Sequence, residues 1–146
     1  FGVFPHVVER KSSILFRGFD DEFMVPHSRH TTISREDIEA EPRLKLLASS
    51  EKAGVYAVST EGGRQIFITG HSEYDPRTLE KEYLRDKNLG LPIAPPKNYY
   101  PNDDDSKKPQ VSWKAHANLL YSNWLNYFVY QTTPYDITTI TAEEKP

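Results

Sequence analysis

Residues 66–75, IFITGHSEYD, form the stretch of this chain that most directly predicts its fold. A short apolar run ends at Gly70, and His71 and Glu73 follow with one residue between them. From Asp75 onward the spacing of apolar residues becomes helical. Open α/β sheets place their functional side chains on loops at the carboxyl ends of buried strands. The stretch therefore predicts an α/β fold in which a strand delivers a histidine and a carboxylate to such a loop.

His71 and Glu73 have two interpretations. On a turn their side chains can converge, and the carboxylate then fixes the tautomer of the imidazole and stabilises the imidazolium formed during proton transfer. The alternative is a histidine with satisfied hydrogen bonds beside a surface glutamate, and a three-residue pattern taken alone favours it. A metal site is indicated less well, because two such ligands leave a zinc site incomplete. We predict no bound metal.

The composition indicates one folded domain and excludes several classes of protein. The 146 residues include nine Tyr, seven Phe and two Trp, whereas disordered chains are poor in aromatic residues. The net charge of -3 is spread over both signs, so we expect no nucleic-acid partner. No apolar run approaches the length of a membrane span, so we expect no membrane partner either.

Cysteine is absent from the chain, which excludes disulfides, cysteine-based metal sites and a thiol nucleophile within these residues. This composition fits a cytoplasmic protein. The first residue is Phe1 and not methionine, which indicates a fragment or a processed product.

The first half of the chain predicts short elements. Residues 14–16 are apolar and predict a strand, and Gly18 to His30 predicts a loop dense in functional groups. Ser34 is a suitable N-cap for a helix that ends at Pro42. Three strands are then predicted at 44–48, 55–58 and 65–69, with a hairpin turn at 61–64 between the last two. The third is apolar on both sides, which is typical of a central strand covered on both faces.

The second half predicts two helices separated by a long irregular segment. The first helix has Asp75 as its N-cap, an inner stripe at Leu79 and Tyr83, and Gly90 as its stop. Residues 91–111 contain five prolines and form an irregular arm. The second helix spans about 113–130, and residues 138–146 form a flexible tail. One face of the second helix is rich in large apolar residues and predicts core packing or a subunit interface: Ala117, Leu120, Tyr121, Trp124, Tyr127 and Phe128.

Two further groups of side chains could bind a substrate. The sequence Pro26-His27-Ser28-Arg29-His30 could hold an anionic or polar group, although taken alone it is explained better as a solvated loop. Arg85 lies at the edge of the first long helix and could bind a carboxylate in bidentate fashion. Its plainer interpretation is an exposed side chain paired with Glu82 three residues earlier.

Five blocks of sequence together resemble the homoserine O-acyltransferase family of methionine biosynthesis, which comprises homoserine O-succinyltransferases and O-acetyltransferases of the homoserine transsuccinylase type. They occur in the order and with the spacing of that family, over nearly the whole chain. The blocks are RGFDD at 17–21, PHSR at 26–29, TGHSEYD at 69–75, NYYPND at 98–103 and SNWLNY at 122–127. The resemblance corresponds to the C-terminal half of the family sequence, so that residues 1–146 form the C-terminal part of a single catalytic domain.

The resemblance implies a fold and a set of roles. The fold is similar to class I glutamine amidotransferases, a flavodoxin-like three-layer α/β architecture. The triad of the family is Cys-His-Glu, which makes His71 the general base and Glu73 the carboxylate that orients it. Ser28 and Arg85 match the substrate-binding residues of the family. The nucleophilic cysteine, a substrate-binding lysine and the oxyanion hole would lie upstream of Phe1.

The function implied is transfer of an acetyl or succinyl group from acyl-CoA to the side-chain hydroxyl of L-homoserine. No cofactor is implied beyond acyl-CoA as co-substrate. The partners implied are homoserine, acyl-CoA and the N-terminal half of the enzyme, and we expect a homodimer. This chain alone should be inactive. The family commonly has proline where this chain has Ser72, and we expect that difference to loosen the loop slightly.

Two other classes of function stay open at this stage. The first is another enzyme on the same scaffold, such as a glutamine amidotransferase-like hydrolase. The second is a non-catalytic interaction fragment, because no nucleophile is evident within the chain.

Overall fold

The computed structural model describes residues 1–133, and the predicted tail at 138–146 lies outside them. The chain has the predicted α/β composition, with a five-stranded sheet in the order β2-β1-β3-β4-β5. The strands are β1 (Gly2–Val8), β2 (Glu22–His27), β3 (Leu44–Ser50), β4 (Gly54–Thr60) and β5 (Ile66–Ile68). The helices are α1 (Arg35–Ala40), α2 (Thr78–Asn88), α3 (Lys114–Trp124) and the short α4 (Tyr130–Thr132).

Neighbouring strands of the sheet are all antiparallel. The register pairs Val58 of β4 with Phe67 of β5, and Phe4 of β1 with Val25 of β2. The hairpin predicted between β4 and β5 is present, and both Gly62 and Gly63 have positive φ there, a conformation that glycine adopts without steric cost.

Two predictions for the first thirty residues are wrong. Residues 14–16 form a 3-10 helix and not a strand, and they bury Leu15 and Phe16 beneath α3. Half of the predicted loop between Gly18 and His30 is strand β2, because Phe23 and Val25 alternate with more exposed residues and pack into the core. Polar side chains at both ends of β2 concealed this alternation in the sequence.

Strand β5 is also placed differently from its prediction. Among residues 1–133 it pairs only with β4 and therefore lies at the edge of the sheet, with Phe67 49% and Ile68 37% exposed. A continuous apolar run is typical of a strand that is buried on both faces. It does not show which elements cover it.

Three groups of buried residues hold the helices on the sheet. Leu120 of α3 packs with Leu15, Phe23 and Tyr56 on one face, and Ile38 of α1 packs with Val55 and Val58 on the other. The third group joins α2 and the irregular arm to β1, and consists of Val3, Leu79, Tyr99, Tyr100, Trp113 and Ala117. This third group fixes α2 beside the loop that follows β5.

The two long helices begin and end close to their predicted limits. Helix α2 starts after Arg77 and not directly after Asp75, whose carbonyl accepts a hydrogen bond from Thr78. It stops before Gly90, as predicted, and Gly90 has a positive φ of 72°. Helix α3 continues into a π-helical turn at Leu125–Val129. Its predicted core face is only partly buried, because Tyr121 and Trp124 are exposed. No helix among residues 1–133 is both long enough and apolar enough to cross a membrane.

Candidate active site

The loop after β5 is anchored at Gly70 and His71. The His71 amide donates a hydrogen bond of 2.8 Å to the Pro26 carbonyl near the end of β2. Gly70 has no room for a side chain, since a Cβ there would lie 2.6 Å from Cγ1 of Val25 and 2.9 Å from Nε2 of His27. This close approach explains why glycine ends the apolar run.

His71 and Glu73 are brought together by the turn. Nδ1 of His71 lies 2.9 Å from Oε1 of Glu73. The carboxylate accepts a hydrogen bond from Nδ1–H, which leaves Nε2 of His71 as the unprotonated nitrogen of the neutral ring. The His71 side chain is 35% exposed, so an atom supplied from outside the loop can reach it. The arrangement can take and return a proton at Nε2.

Tyr74 forms the inner wall of the site. Its ring stacks on the His71 ring with centroids 4.3 Å apart and planes inclined by 14°. Its hydroxyl donates a hydrogen bond of 2.8 Å to Oε1 of Glu82 on α2. Burial, together with the neighbouring Glu82 carboxylate, raises the pKa of Tyr74 to about 12, so the phenol stays protonated.

Ser28 lies beside Tyr74, and Arg85 lies on the same helix as Glu82. Ser28 follows β2 directly, and its hydroxyl interacts with the Tyr74 hydroxyl. Arg85 lies on α2 one turn after Glu82, and its side chain is 65% exposed. Its Nε donates to Asp86 at 2.6 Å, so the expected plain pairing with Glu82 is replaced by a pairing with the next residue. Arg85 and Glu82 thus share helix α2, and Tyr74 connects that helix to His71.

Glu82 is a polar group that the sequence analysis treated only as a surface partner. Its Oε1 accepts from Tyr74, and its Oε2 is buried without a hydrogen-bond partner among the described residues. A buried carboxylate oxygen without a donor is costly. The sequence could have pointed to Glu82 as a site residue, because it lies three residues before Arg85 and therefore on a neighbouring position of the same helix, α2.

The predicted loop of anion-binding side chains is divided by the structure. Arg29 donates to the carbonyls of Thr69, at 3.0 Å, and Ala53, so it holds β4 and β5 to the end of β2. His27 is buried at the end of β2 and does not face the solvent. Of this cluster, Ser28 is the residue that lies beside Tyr74.

Beneath the loop lie two buried histidines, His6 and His27, that sequence reasoning did not connect. Their Nε2 atoms are 3.0 Å apart and their rings are stacked at 4.9 Å. Nδ1 of His6 lies 2.9 Å from the Phe4 carbonyl and must donate to it, so that His27 donates through Nε2 to His6. Burial lowers the pKa of His6 to about 4 and that of His27 to about 3, which keeps both rings neutral.

A histidine oriented by a carboxylate, on a loop after a strand, is an arrangement that nucleophilic active sites use for proton transfer. Hydrolases and group transferases are the classes of protein that use this arrangement to activate a nucleophile. Comparison with known proteins narrows these classes. The family model for homoserine O-succinyltransferase matches residues 1–135. The chain belongs to the homoserine O-succinyltransferase family.

Curated relatives agree with this membership. The chain is 63% identical over 137 residues to a homoserine O-acetyltransferase of Brevibacillus brevis, covering 94% of this chain and 45% of the relative. It is 60% identical to one from Desulfitobacterium hafniense, with the same shares covered. It is 57% identical to one from Acetivibrio thermocellus, covering 96% of this chain and 46% of the relative. The chain thus spans about half the length of the curated relatives it matches.

Among solved structures, a Thermoplasma acidophilum protein described as a GMP synthase subunit overlaps with 51% of this chain and 35% of its own. The TM-score is 0.43 and the identity 23%. The fold assignment rests on the sheet and helices of the chain itself and on its family membership.

Proposed function

We propose that this chain supplies the acid–base half of an enzyme that transfers an acyl group from acyl-CoA to the side-chain hydroxyl of L-homoserine, in methionine biosynthesis. The observation that carries the proposal is the 2.9 Å contact between Nδ1 of His71 and Oε1 of Glu73, on a loop open to the outside. Membership of the homoserine O-succinyltransferase family supports the choice of substrate.

The first half-reaction makes an acyl-enzyme. A cysteine thiolate from the remaining part of the enzyme attacks the thioester carbonyl of acyl-CoA, forming one S–C bond and breaking another. The His71 imidazolium gives its proton to the departing CoA thiolate. Because one thioester replaces another, the step is close to balanced and the acyl group stays transferable. No cofactor takes part, and acyl-CoA is consumed as a co-substrate.

The second half-reaction passes the acyl group to homoserine. Nε2 of His71 takes the proton of the homoserine hydroxyl as its oxygen attacks the acyl-enzyme carbonyl. Glu73 stabilises the imidazolium that forms, a contribution of roughly 10²–10⁴-fold for general acid–base catalysis. The cysteine leaves as its thiolate, and O-acylhomoserine is released.

The charges that line the site match those of the amino-acid group of homoserine. The Arg85 guanidinium uses only its Nε within the described residues, for Asp86, and its terminal nitrogens can hold the α-carboxylate. Glu82, on the same helix, supplies a negative charge complementary to the α-ammonium group. Ser28, beside the Tyr74 hydroxyl, completes the polar wall and helps to orient the substrate.

The acyl donor is the part of the reaction that this chain determines least. The relatives that are 57–63% identical are named homoserine O-acetyltransferases, which favours acetyl-CoA over succinyl-CoA.

The experiment compares substrates on a full-length polypeptide in which this chain replaces the matching segment of the Brevibacillus brevis relative. CoA release is followed with acetyl-CoA or succinyl-CoA, in the presence and absence of homoserine, and ammonia release is followed with glutamine. Homoserine-dependent CoA release supports the proposal. Ammonia release without CoA release would instead assign a glutamine-hydrolysing activity. If the polypeptide releases neither CoA nor ammonia, a non-catalytic role is left.

A further inference from the structure

The segment NYYPND at 98–103 is one of the five family-like blocks, and the proposed reaction leaves it without a role. Three of its residues have a positive φ although none is glycine: Asn98 at 54°, Asn102 at 57° and Asp103 at 56°. This left-handed conformation is uncommon for residues with a side chain, and asparagine and aspartate tolerate it best. Such conformations persist where surrounding contacts hold them, and they are frequent near functional sites.

Lys97 and Asn98 occupy one side of the first half of strand β1. Among residues 1–133, β3 pairs with β1 only at Val7 and Val8, so this side of Val3 is left to the irregular arm. The Val3 amide donates a hydrogen bond of 2.8 Å to the Lys97 carbonyl. The Val3 carbonyl accepts a hydrogen bond of 2.9 Å from Nδ2 of Asn98. Both backbone groups of Val3 are therefore bonded to the arm.

Asn98 is itself held in place by Asp103. The Asn98 amide donates a hydrogen bond of 2.8 Å to Oδ1 of Asp103, and Nζ of Lys97 lies 3.4 Å from Oδ2 of the same carboxylate. Gly2 permits the close approach of the arm to β1, because a Cβ at Gly2 would collide with the Lys97 backbone. The position of Asn98 is thus fixed from both sides.

The row of contacts that begins at Asn98 continues across the sheet to His71. Val3 lies opposite Pro26 of β2. Because the backbone groups of Val3 face the arm, the two residues form a non-hydrogen-bonded pair, in which the missing N–H of Pro26 costs no ladder bond. The Pro26 carbonyl faces the other way and accepts from the His71 amide at 2.8 Å. Two strands therefore connect Asn98 to the backbone of His71.

We propose that Asn98 is a positioning residue for the reaction, because its hydrogen bond to Val3 fixes β1 against β2 and so fixes the Pro26 carbonyl that holds His71. Asn98 acts through the two strands and not on the substrate. The inference rests on the proposed function for the role of His71.

Two substitutions in the full-length polypeptide described above remove the bond to Val3 in different ways. Asn98→Asp keeps the size of the side chain and its tolerance of positive φ, and it loses the Nδ2 donor. Asn98→Gly also loses the donor and adopts a positive φ without steric cost. Asn102→Asp and Asn102→Gly are the matched controls. Asn102 has nearly the same φ in the same segment, and within residues 1–133 its side chain makes no hydrogen bond.

The kcat for homoserine-dependent CoA release is the first measurement. Loss of the hydrogen bond and a small displacement of His71 should lower kcat roughly 5- to 100-fold in both Asn98 variants. The homoserine KM should change less than about threefold, because the bond supports the transition state more than substrate binding. The two Asn102 variants should keep the kcat of the parent. A parental kcat in Asn98→Gly would show that the bond to Val3 has no part in catalysis and would overturn the proposal.

Amide hydrogen exchange separates positioning of His71 from a general loss of stability. The His71 amide, bonded to Pro26, is the probe, and the Thr69 amide, which donates to the Tyr56 carbonyl of β4 at 2.9 Å, is the internal reference. Both Asn98 variants should speed exchange at His71 about tenfold or more relative to Thr69. Equal acceleration of the two amides, or none at His71, would contradict the proposed connection through β1 and β2.

The exchange measurement requires no turnover and therefore distinguishes this proposal from the proposed function. A parent polypeptide that folds but releases no CoA would contradict the proposed function, and exchange at His71 would still decide whether Asn98 positions its backbone. Circular dichroism shows which variants are folded. If Asn98→Asp does not fold, Asn98→Gly decides the outcome, because it imposes no backbone strain.

Discussion

The hydroxyl groups of Tyr56 and Ser72 lie 2.7 Å apart in the interior and join strand β4 to the loop that carries His71 and Glu73. Ser72 is buried between two catalytic candidates whose side chains point outward. Proline, which the family resemblance implies at this position, could not make this bond. The serine therefore provides a tether of its own, and whether the loop is looser than with proline stays a prediction.

Removal of the Tyr56 hydroxyl should loosen this tether. Tyr56→Phe leaves the Ser72 hydroxyl buried without its partner, at a cost of about 1–3 kcal/mol for an unsatisfied buried group. We expect a lower Tm and a reduced kcat, measured by thermal unfolding and by CoA release. Tyr121→Phe is the control, because Tyr121 is exposed and should tolerate the change. Equal Tm and kcat in wild type and Tyr56→Phe would show that the tether has no role.

Loss of the Arg85 guanidinium should affect homoserine binding more than acylation. Hydrogen bonds to charged groups are worth about 1.5–3 kcal/mol, so Arg85→Ala should raise the homoserine KM roughly 10- to 100-fold. The rate of acyl-enzyme formation from acyl-CoA should change much less. Arg77→Ala, an exposed arginine before α2 that pairs with Glu80, is the matched control. An Arg85→Ala variant impaired in acylation alone would show that its assigned role is wrong.

Tyr74 contacts His71 through its ring and Glu82 through its hydroxyl, and substitution can remove these two contacts separately. Tyr74→Phe keeps the stacked ring on His71 and removes the hydrogen bond to Glu82, so it should raise the homoserine KM with little change in acylation. Tyr74→Ala removes both contacts and should lower the acylation rate as well. Identical kinetics for the two variants would indicate that the ring itself does not position His71.

The buried histidine pair should make the folded protein sensitive to acid. Because burial holds the pKa values of His6 and His27 at about 4 and about 3, the unfolded chain binds protons below about pH 6.5 that the folded chain does not. The free energy of unfolding should therefore decrease as the pH falls from 6.5 toward 4. Each histidine that is fully protonated in the unfolded chain and neutral in the folded chain contributes a decrease of about 1.4 kcal/mol per pH unit.

Denaturant titrations at several pH values measure this dependence. In a His27→Gln variant the decrease between pH 6.5 and 4 should be shallower than in the wild type. His30→Gln, at an exposed histidine, is the control and should keep the wild-type slope. A slope unchanged by His27→Gln would contradict the assignment of the buried pair.

Local patterns in the sequence predicted the parts of the fold that depend on neighbouring residues. The Ser34 cap is an example, since its side chain accepts a hydrogen bond from the Asp37 amide as predicted. The hairpin at Gly62 and Gly63 is another. Strand β2 was missed because its alternation is short and because its last residue, His27, is buried through contacts with β1 and β4, which are distant in sequence.

The same limit applies to the candidate site. The pairing of His71 with Glu73 is local. Their spacing alone favoured a surface glutamate, the family resemblance implied the pair, and the structure brings the two side chains together. The link from His71 through Tyr74 to Glu82 was not anticipated, because it depends on how α2 packs beside the loop. Burial of His6 against His27 likewise requires the pairing of β1 with β2. The roles of His71, Glu73, Ser28 and Arg85 in the reaction stay predictions.

The most direct test of the account is the rate at which a preformed acyl-enzyme passes its group to homoserine, measured by rapid quench on the full-length polypeptide. Glu73→Gln should slow this single step about a hundredfold or more, and His71→Ala should abolish it, while circular dichroism shows both variants folded. Transfer from the Glu73→Gln or His71→Ala acyl-enzyme at the wild-type rate would contradict the central claim that this histidine, oriented by its neighbouring carboxylate, moves the proton.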